Sequence, residues 1–86
     1  QFNLRLKRLP LTSTETELLN YLFNRSGKAV SKLEIQQRVL QREYSHFDRK
    51  LDVHISSIRK KMVKTGINAA LIKTVRGVGY CFEVPL

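Results

Sequence analysis

Between residues 48 and 64 the chain reads DRKLDVHISSIRKKMVK, and on a helix advancing about 100° per residue its cations gather on one side. Arg49, Lys50, Lys60, Lys61 and Lys64 surround Val53, with Ser56 and Ser57 between them and no carboxylate on that face. A row of ammonium and guanidinium groups suits a polyanion. Short hydroxyls among them let the helix axis approach closely while offering donors and acceptors to phosphates or base edges. A run of charge is by itself more often a solvated face, so the elements that hold this one must decide.

Catalysis finds no convergent set. The two histidines, His46 and His54, have no serine and carboxylate arranged with them, and the single cysteine, Cys81, falls in a β-rich run, where a small buried residue is the simpler reading. His54 projects about 100° from the centre of the basic face, which suits a flanking or interhelical hydrogen bond. So few nitrogen and sulfur ligands make no metal site. Nothing asks for a cofactor, and the sequence reads as a non-enzyme.

The other side of the same helix explains how it is held. Leu51, Ile55, Ile58 and Met62 form one apolar stripe, Asp48 can cap the start, and Gly66 can close the end in the left-handed conformation. Upstream, residues 2–11 alternate apolar and polar, which predicts two short strands with Pro10 at an edge. Thr12-Ser13-Thr14-Glu15 spells a capping box. It predicts a helix to about Asn24 that buries Leu18, Leu19, Leu22 and Phe23, with Ser26-Gly27 ending it. Ser31-Lys32-Leu33-Glu34 repeats the spelling before a second helix to about Leu40, with Ile35, Val39 and Leu40 inward. A polar segment over 41–47 follows, with Phe47 tucked under the core.

After Gly66 and a loop over 67–70, two β-rich runs, 72–76 and 80–84, flank Gly77-Val78-Gly79, where glycines supply the positive φ angles of a tight reversal. The two glycines are no dinucleotide-binding loop, because a third is missing and a strand follows. Arg76 projects from the ribbon's end with Lys73 and Thr74 on its shoulder, well placed for a minor groove. Short N-terminal strands, three helices and a C-terminal hairpin make an α+β winged helix-turn-helix with the basic helix third.

Composition agrees. The 86 residues, 42% hydrophobic, suit one domain spanning 1–86, and 16 basic against 7 acidic residues point to nucleic acid first and an anionic membrane surface second. No apolar run approaches the ~20 residues of a membrane-spanning helix, and no charged-then-apolar leader is seen. A lone cysteine excludes an internal disulfide, as expected of a reducing cytoplasm. A start at Gln1 is expected of a piece cut from a longer protein.

Four motifs carry a resemblance: Leu11-Thr12-x-x-Glu15-x-x-Leu18-Leu19, Val30-Ser31-x-x-x-Ile35, Asp52-Val53-His54-Ile55-x-x-Ile58-Arg59-Lys60-Lys61, and Ile72-x-Thr74-Val75-Arg76-Gly77-Val78-Gly79-Tyr80. Together they resemble the DNA-binding effector domain of OmpR/PhoB-type bacterial response regulators, over nearly the whole chain from Leu9 to Phe82. Phe47-Asp48-Arg49 and His54-Ile55-Ser56 are similar to the Cpx-type envelope-stress subgroup. The resemblance implies a bacterial, cytoplasmic transcription factor whose receiver domain, phosphorylated by a cognate histidine kinase, drives pairing so that a second copy binds an adjacent half-site of duplex DNA.

By the same resemblance the basic helix enters the major groove, with Arg49, Lys50, Val53, His54, Ser56, Ser57, Lys60, Lys61 and Lys64 on DNA. Arg76 enters a minor groove beside Lys73, and Thr74 reaches a phosphate. Arg59 is a phosphate clamp or neighbour-domain contact, and Asp52 orients or caps. The loop Gln41, Arg42, Glu43, Tyr44, Ser45 and His46 is implied to touch RNA polymerase. No membrane and no cofactor are implied. The chain departs from several members, which carry arginine where Ser56 and Ser57 stand, so a guanine contact from these positions is missing. The N-terminal sheet also looks short for the family, as though its first strands were cut away.

Two other readings stay open at this point. A basic RNA-binding or ribosome-associated protein would expose aromatics on its sheet for stacking, whereas Tyr80 and Phe82 alternate as if facing a core. A protein-interaction winged helix would leave the basic face without a purpose.

Overall fold

A computed structural model describes residues 9–40 and 50–83. The expected loop over 41–47, the cap Asp48, Arg49 and most of the N-terminal strands lie outside the described residues. The part of the expected strands that is described, Leu9 to Leu11, is irregular: Leu11 N–H donates to the Leu9 carbonyl at 2.8 Å, and Leu9 is buried.

Helix α1 runs Ser13–Phe23. Thr12 stays extended (φ −69°, ψ 167°), so its hydroxyl can accept from Glu15 N–H at 3.2 Å while the Glu15 carboxylate accepts from Thr12 N–H at 3.0 Å. Two otherwise orphaned donors are thereby satisfied. The turn after α1 places Gly27 at φ +85°, and its N–H donates to the Phe82 carbonyl at 2.8 Å. Leu18, Leu19 and Leu22 are buried, and Phe23 meets the Phe82 ring edge-on at 5.3 Å.

Strand β1, Val30–Ser31, was not expected; two residues are too few to show a period of two. Helix α2, Lys32–Arg38, is shorter than the reading to Leu40, although Val39 is buried beyond its end. Its capping box is half made: Ser31 Oγ accepts from Glu34 N–H at 3.0 Å, but the Glu34 carboxylate accepts instead from the Tyr21 hydroxyl.

Helix α3, Lys50–Lys64, buries the expected stripe, with Leu51, Ile55, Ile58 and Met62 each at most 1% exposed. Gly66, at φ +79°, donates to the Val63 carbonyl at 3.1 Å, and Ile67 donates to the Met62 carbonyl at 2.8 Å, the paired bonds of a Schellman ending. The loop expected over 67–70 gives way to a 3-10 turn, Ala69–Leu71, capped by the Asn68 side chain.

Strands β2, Ile72–Val75, and β3, Gly79–Phe82, form the antiparallel hairpin, and the sheet order is β1-β3-β2. The strands are shorter than the runs 72–76 and 80–84, because Arg76 belongs to the turn. Gly77 has φ +77° as expected, but Gly79 does not serve that purpose. It pairs with both Ser31 and Val75, and a Cβ there would stand 2.1 Å from the Val30 carbonyl oxygen. That position needs glycine for closeness. Strand β3 is central and buried along its length, Tyr80, Cys81 and Phe82 included, so the aromatics do face the core. The described residues thus form a winged helix, with α3 and the β2–β3 wing side by side.

Candidate nucleic-acid interface

The inward stripe fixes the roll of α3, and with it the outward row. Lys50, Val53, Ser56, Lys60 and Lys64 are exposed, Val53 at 63%. Val63, 64% exposed, joins them and was missed by a reading that followed charge. Val63 also lines an open groove of about 430 Å³ with Ser56, Arg59, Lys60 and Lys64. His54 is half-buried at the flank, as its wheel position suggests.

Two members of the predicted face turn toward α1. Lys61 Nζ lies 2.6 Å from Glu15 Oε1, with the lysine side chain 27% exposed, and Ser57 also hydrogen-bonds that carboxylate. Burial of Glu15 raises its pKa, but the bonds from Lys61, Ser57 and Thr12 N–H outweigh this and lower it to about 2. The sequence could not place this carboxylate, because it arrives from an element 46 residues away.

Arg59 is committed to the wing. Its Nε and Nη2 donate to the Ile72 carbonyl at 3.2 and 2.6 Å, and Nη2 donates to Thr74 Oγ1 at 3.0 Å. Three of its five N–H groups are thereby used, leaving Nη1. The guanidinium expected as a phosphate clamp or neighbour-domain contact bridges α3 and β2 through these bonds. Thr74 keeps its own hydroxyl hydrogen for another acceptor. Lys73 pairs with Glu83 at 3.0 Å on the exposed side of the wing, and Arg76 is exposed at its turn. Arg49 and the loop residues 41–46 lie outside the described residues.

No group of three or more His, Cys, Asp or Glu suited to a metal occurs among the described residues. No helix among them is long and apolar enough to cross a membrane. With Tyr80 and Phe82 buried, the sheet presents no ring from these positions for a base to stack on.

Residues 6–82 match the family described as "Transcriptional regulatory protein, C terminal". The chain is 38% identical over 74 residues to the transcriptional regulatory protein CpxR homolog of Haemophilus influenzae, covering 86% of this chain and 33% of that protein. It therefore spans about a third of that relative's length. Among solved structures it is similar to the DNA-binding domain of CpxR from E. coli, with TM-score 0.81 and 36% identity over 91% of this chain and 76% of that one. The Klebsiella pneumoniae RstA DNA-binding domain, solved in complex with the RstA box, gives TM-score 0.77 and 29% identity over 87% of this chain and 74% of that one.

Proposed function

The chain belongs to the transcriptional regulatory protein C-terminal family, the OmpR/PhoB-type DNA-binding domain of two-component response regulators, and from that premise we propose how it reads its site. Helix α3 enters the major groove with Lys50, Val53, Ser56, Lys60 and Lys64, joined by Arg49 and flanked by His54. The wing lays Arg76 in the neighbouring minor groove, Lys73 lies beside it, and the Thr74 hydroxyl reaches a phosphate. Lys61, Ser57 and Arg59 serve chiefly to fix the roll of α3. The observation that carries this reading is the exposed row on α3 beside an exposed wing arginine, the two braced by Arg59.

In the full-length protein, a receiver domain phosphorylated by a histidine kinase brings a second copy onto an adjacent half-site, and residues Gln41, Arg42, Glu43, Tyr44, Ser45 and His46 contact RNA polymerase. The family relation and the domain size support these partners.

Selection from random duplexes at two salt concentrations tests the reading. The expected result is a repeated half-site at a spacing of about 10–10.5 base pairs, with log affinity falling against log salt by about 0.9 per phosphate neutralised. Lys60→Ala is expected to weaken all sequences alike and to lower that slope by about one, whereas Arg76→Ala weakens chiefly duplexes with a narrow minor groove. Binding with no enriched sequence would overturn it.

A further inference from the structure

Asp52, in the first turn of α3, meets two other elements at once. The Tyr80 hydroxyl, from β3, donates to Asp52 Oδ1, and Lys32 Nζ, from the start of α2, lies 3.3 Å from the same oxygen. Lys32 N–H also donates to the Val78 carbonyl in the wing turn at 3.1 Å. The Tyr80 ring has a cation toward it from each helix: Lys32 Nζ at 5.9 Å from its centroid and the Arg59 guanidinium at 5.7 Å. Arg59 in turn holds the Ile72 carbonyl and Thr74 Oγ1. If this site needed packing alone, phenylalanine would serve. The hydroxyl adds a directed, charge-assisted bond between the wing's central strand and α3. Tyr80 would keep its proton at neutral pH in any case, and burial, then the Asp52 bond, raises its pKa further above the ordinary value of 10.

We propose that Asp52 and Tyr80 are positioning residues for DNA reading: the Lys32–Asp52–Tyr80 chain, with Arg59, sets the angle between α3 and the wing so that major-groove and minor-groove contacts close together. The inference rests on the DNA-binding reading above. Neither residue needs to touch DNA. With the angle preset, the second contact forms at high effective concentration once the first is made; with a loose wing, that gain is lost to ordering.

The test uses Tyr80→Phe, which removes one oxygen, and Asp52→Asn, which keeps an acceptor for Tyr80 while weakening the Lys32 pair. Duplexes with an A·T-rich flank are titrated with the wild-type domain and with each variant, alone and combined with Arg76→Ala and Lys60→Ala. In the wild type, Arg76→Ala is expected to weaken binding about tenfold and to couple non-additively with Lys60→Ala. In the Tyr80→Phe background the Arg76→Ala loss should shrink to about threefold or less and the coupling should vanish, while Asp52→Asn retains most of both. Residual dipolar couplings of the DNA-free domain should show residues 74–79 reoriented against α3 in Tyr80→Phe and much less so in Asp52→Asn. A Tyr80→Phe domain that melts lower, yet keeps its wing orientation and its full dependence on Arg76, would overturn the proposal and leave Tyr80 a packing residue. If the wild type selects no duplex, the DNA reading fails separately, and the dipolar couplings still decide whether this chain of bonds sets the wing.

Discussion

At the start of α1, Glu15 turns back to its own cap; at the start of α2, Glu34, the same three residues after its cap, turns outward to Tyr21 and Arg25. Glu15 is 4% exposed and accepts from Thr12 N–H and Lys61. The Glu34 side chain is 43% exposed, takes the Tyr21 hydroxyl, and lies 3.6 Å from Arg25 Nε, whose guanidinium sits 3.7 Å above the Tyr21 ring. Both caps satisfy their first donor. The difference is in what else the carboxylate holds. Glu15 locks the beginning of α1 to helix α3, whereas Glu34 joins α2 to the end of α1 and the turn after it. A local motif therefore becomes structurally consequential when its carboxylate is enclosed and has a distant partner.

The comparison breaks most readily at Glu15. Glu15→Ala removes half of the cap and leaves the Lys61 ammonium and the Ser57 hydroxyl against a vacated site; a loss of about 3 kcal/mol is expected, or a fall in Tm on the order of 10–20 °C. Thermal unfolding followed by circular dichroism measures it. A loss no greater than that of Glu34→Ala would mean the two caps are equivalent after all.

Acid sharpens the same contrast with a somewhat smaller effect. The folded-state pKa of Glu15, about 2, lies below its ordinary 4.5, so its contribution is complete above pH 4.5 and is lost as pH falls from there toward 2. The advantage of the wild type over Glu15→Gln, on the order of 2 kcal/mol near neutrality, should shrink through that window. Urea unfolding at a series of pH values tests it, and a constant difference down to pH 2 would contradict the assignment.

The smallest effect belongs to Glu34→Ala: under about 1 kcal/mol, and reduced further by salt, because its ion pair is exposed. Chemical unfolding at low and at ~0.5 M salt measures this, and a salt-independent loss of several kcal/mol would show that Glu34 supports the core.

These carboxylates also mark how far the sequence could be read. Thr12 and Glu15 were legible because both partners of the cap lie within four residues. The roll of α3 was legible because four apolar side chains repeat along it. The fate of Lys61 and Ser57 was not, since a helical wheel puts both on the basic face without saying which side of it α1 covers. Val63 was exposed by the same roll, yet a search for charge passes over it. Gly79 shows a subtler miss: glycine was expected there for its freedom of φ, and its actual reason is a neighbouring carbonyl that only the paired strand brings near. The bonds Arg59 makes within the domain were not legible, because its partners, Ile72 and Thr74, belong to a strand beyond the turn.

Strand β1 is the least conspicuous element of the fold, yet its pairing reaches far along the chain. Val30 pairs with Tyr80, about fifty residues later, so the sheet closes a loop containing α2, α3 and the whole of β2. The entropy of closing such a loop is roughly 3.5 kcal/mol, and it must be met before the pairing contributes anything. Helix-local contacts can form early, but this pairing waits for the wing to arrive. The two-residue strand should therefore gain protection only when the wing is in place, and a ribosome would have to release β3 before that strand finds its neighbour.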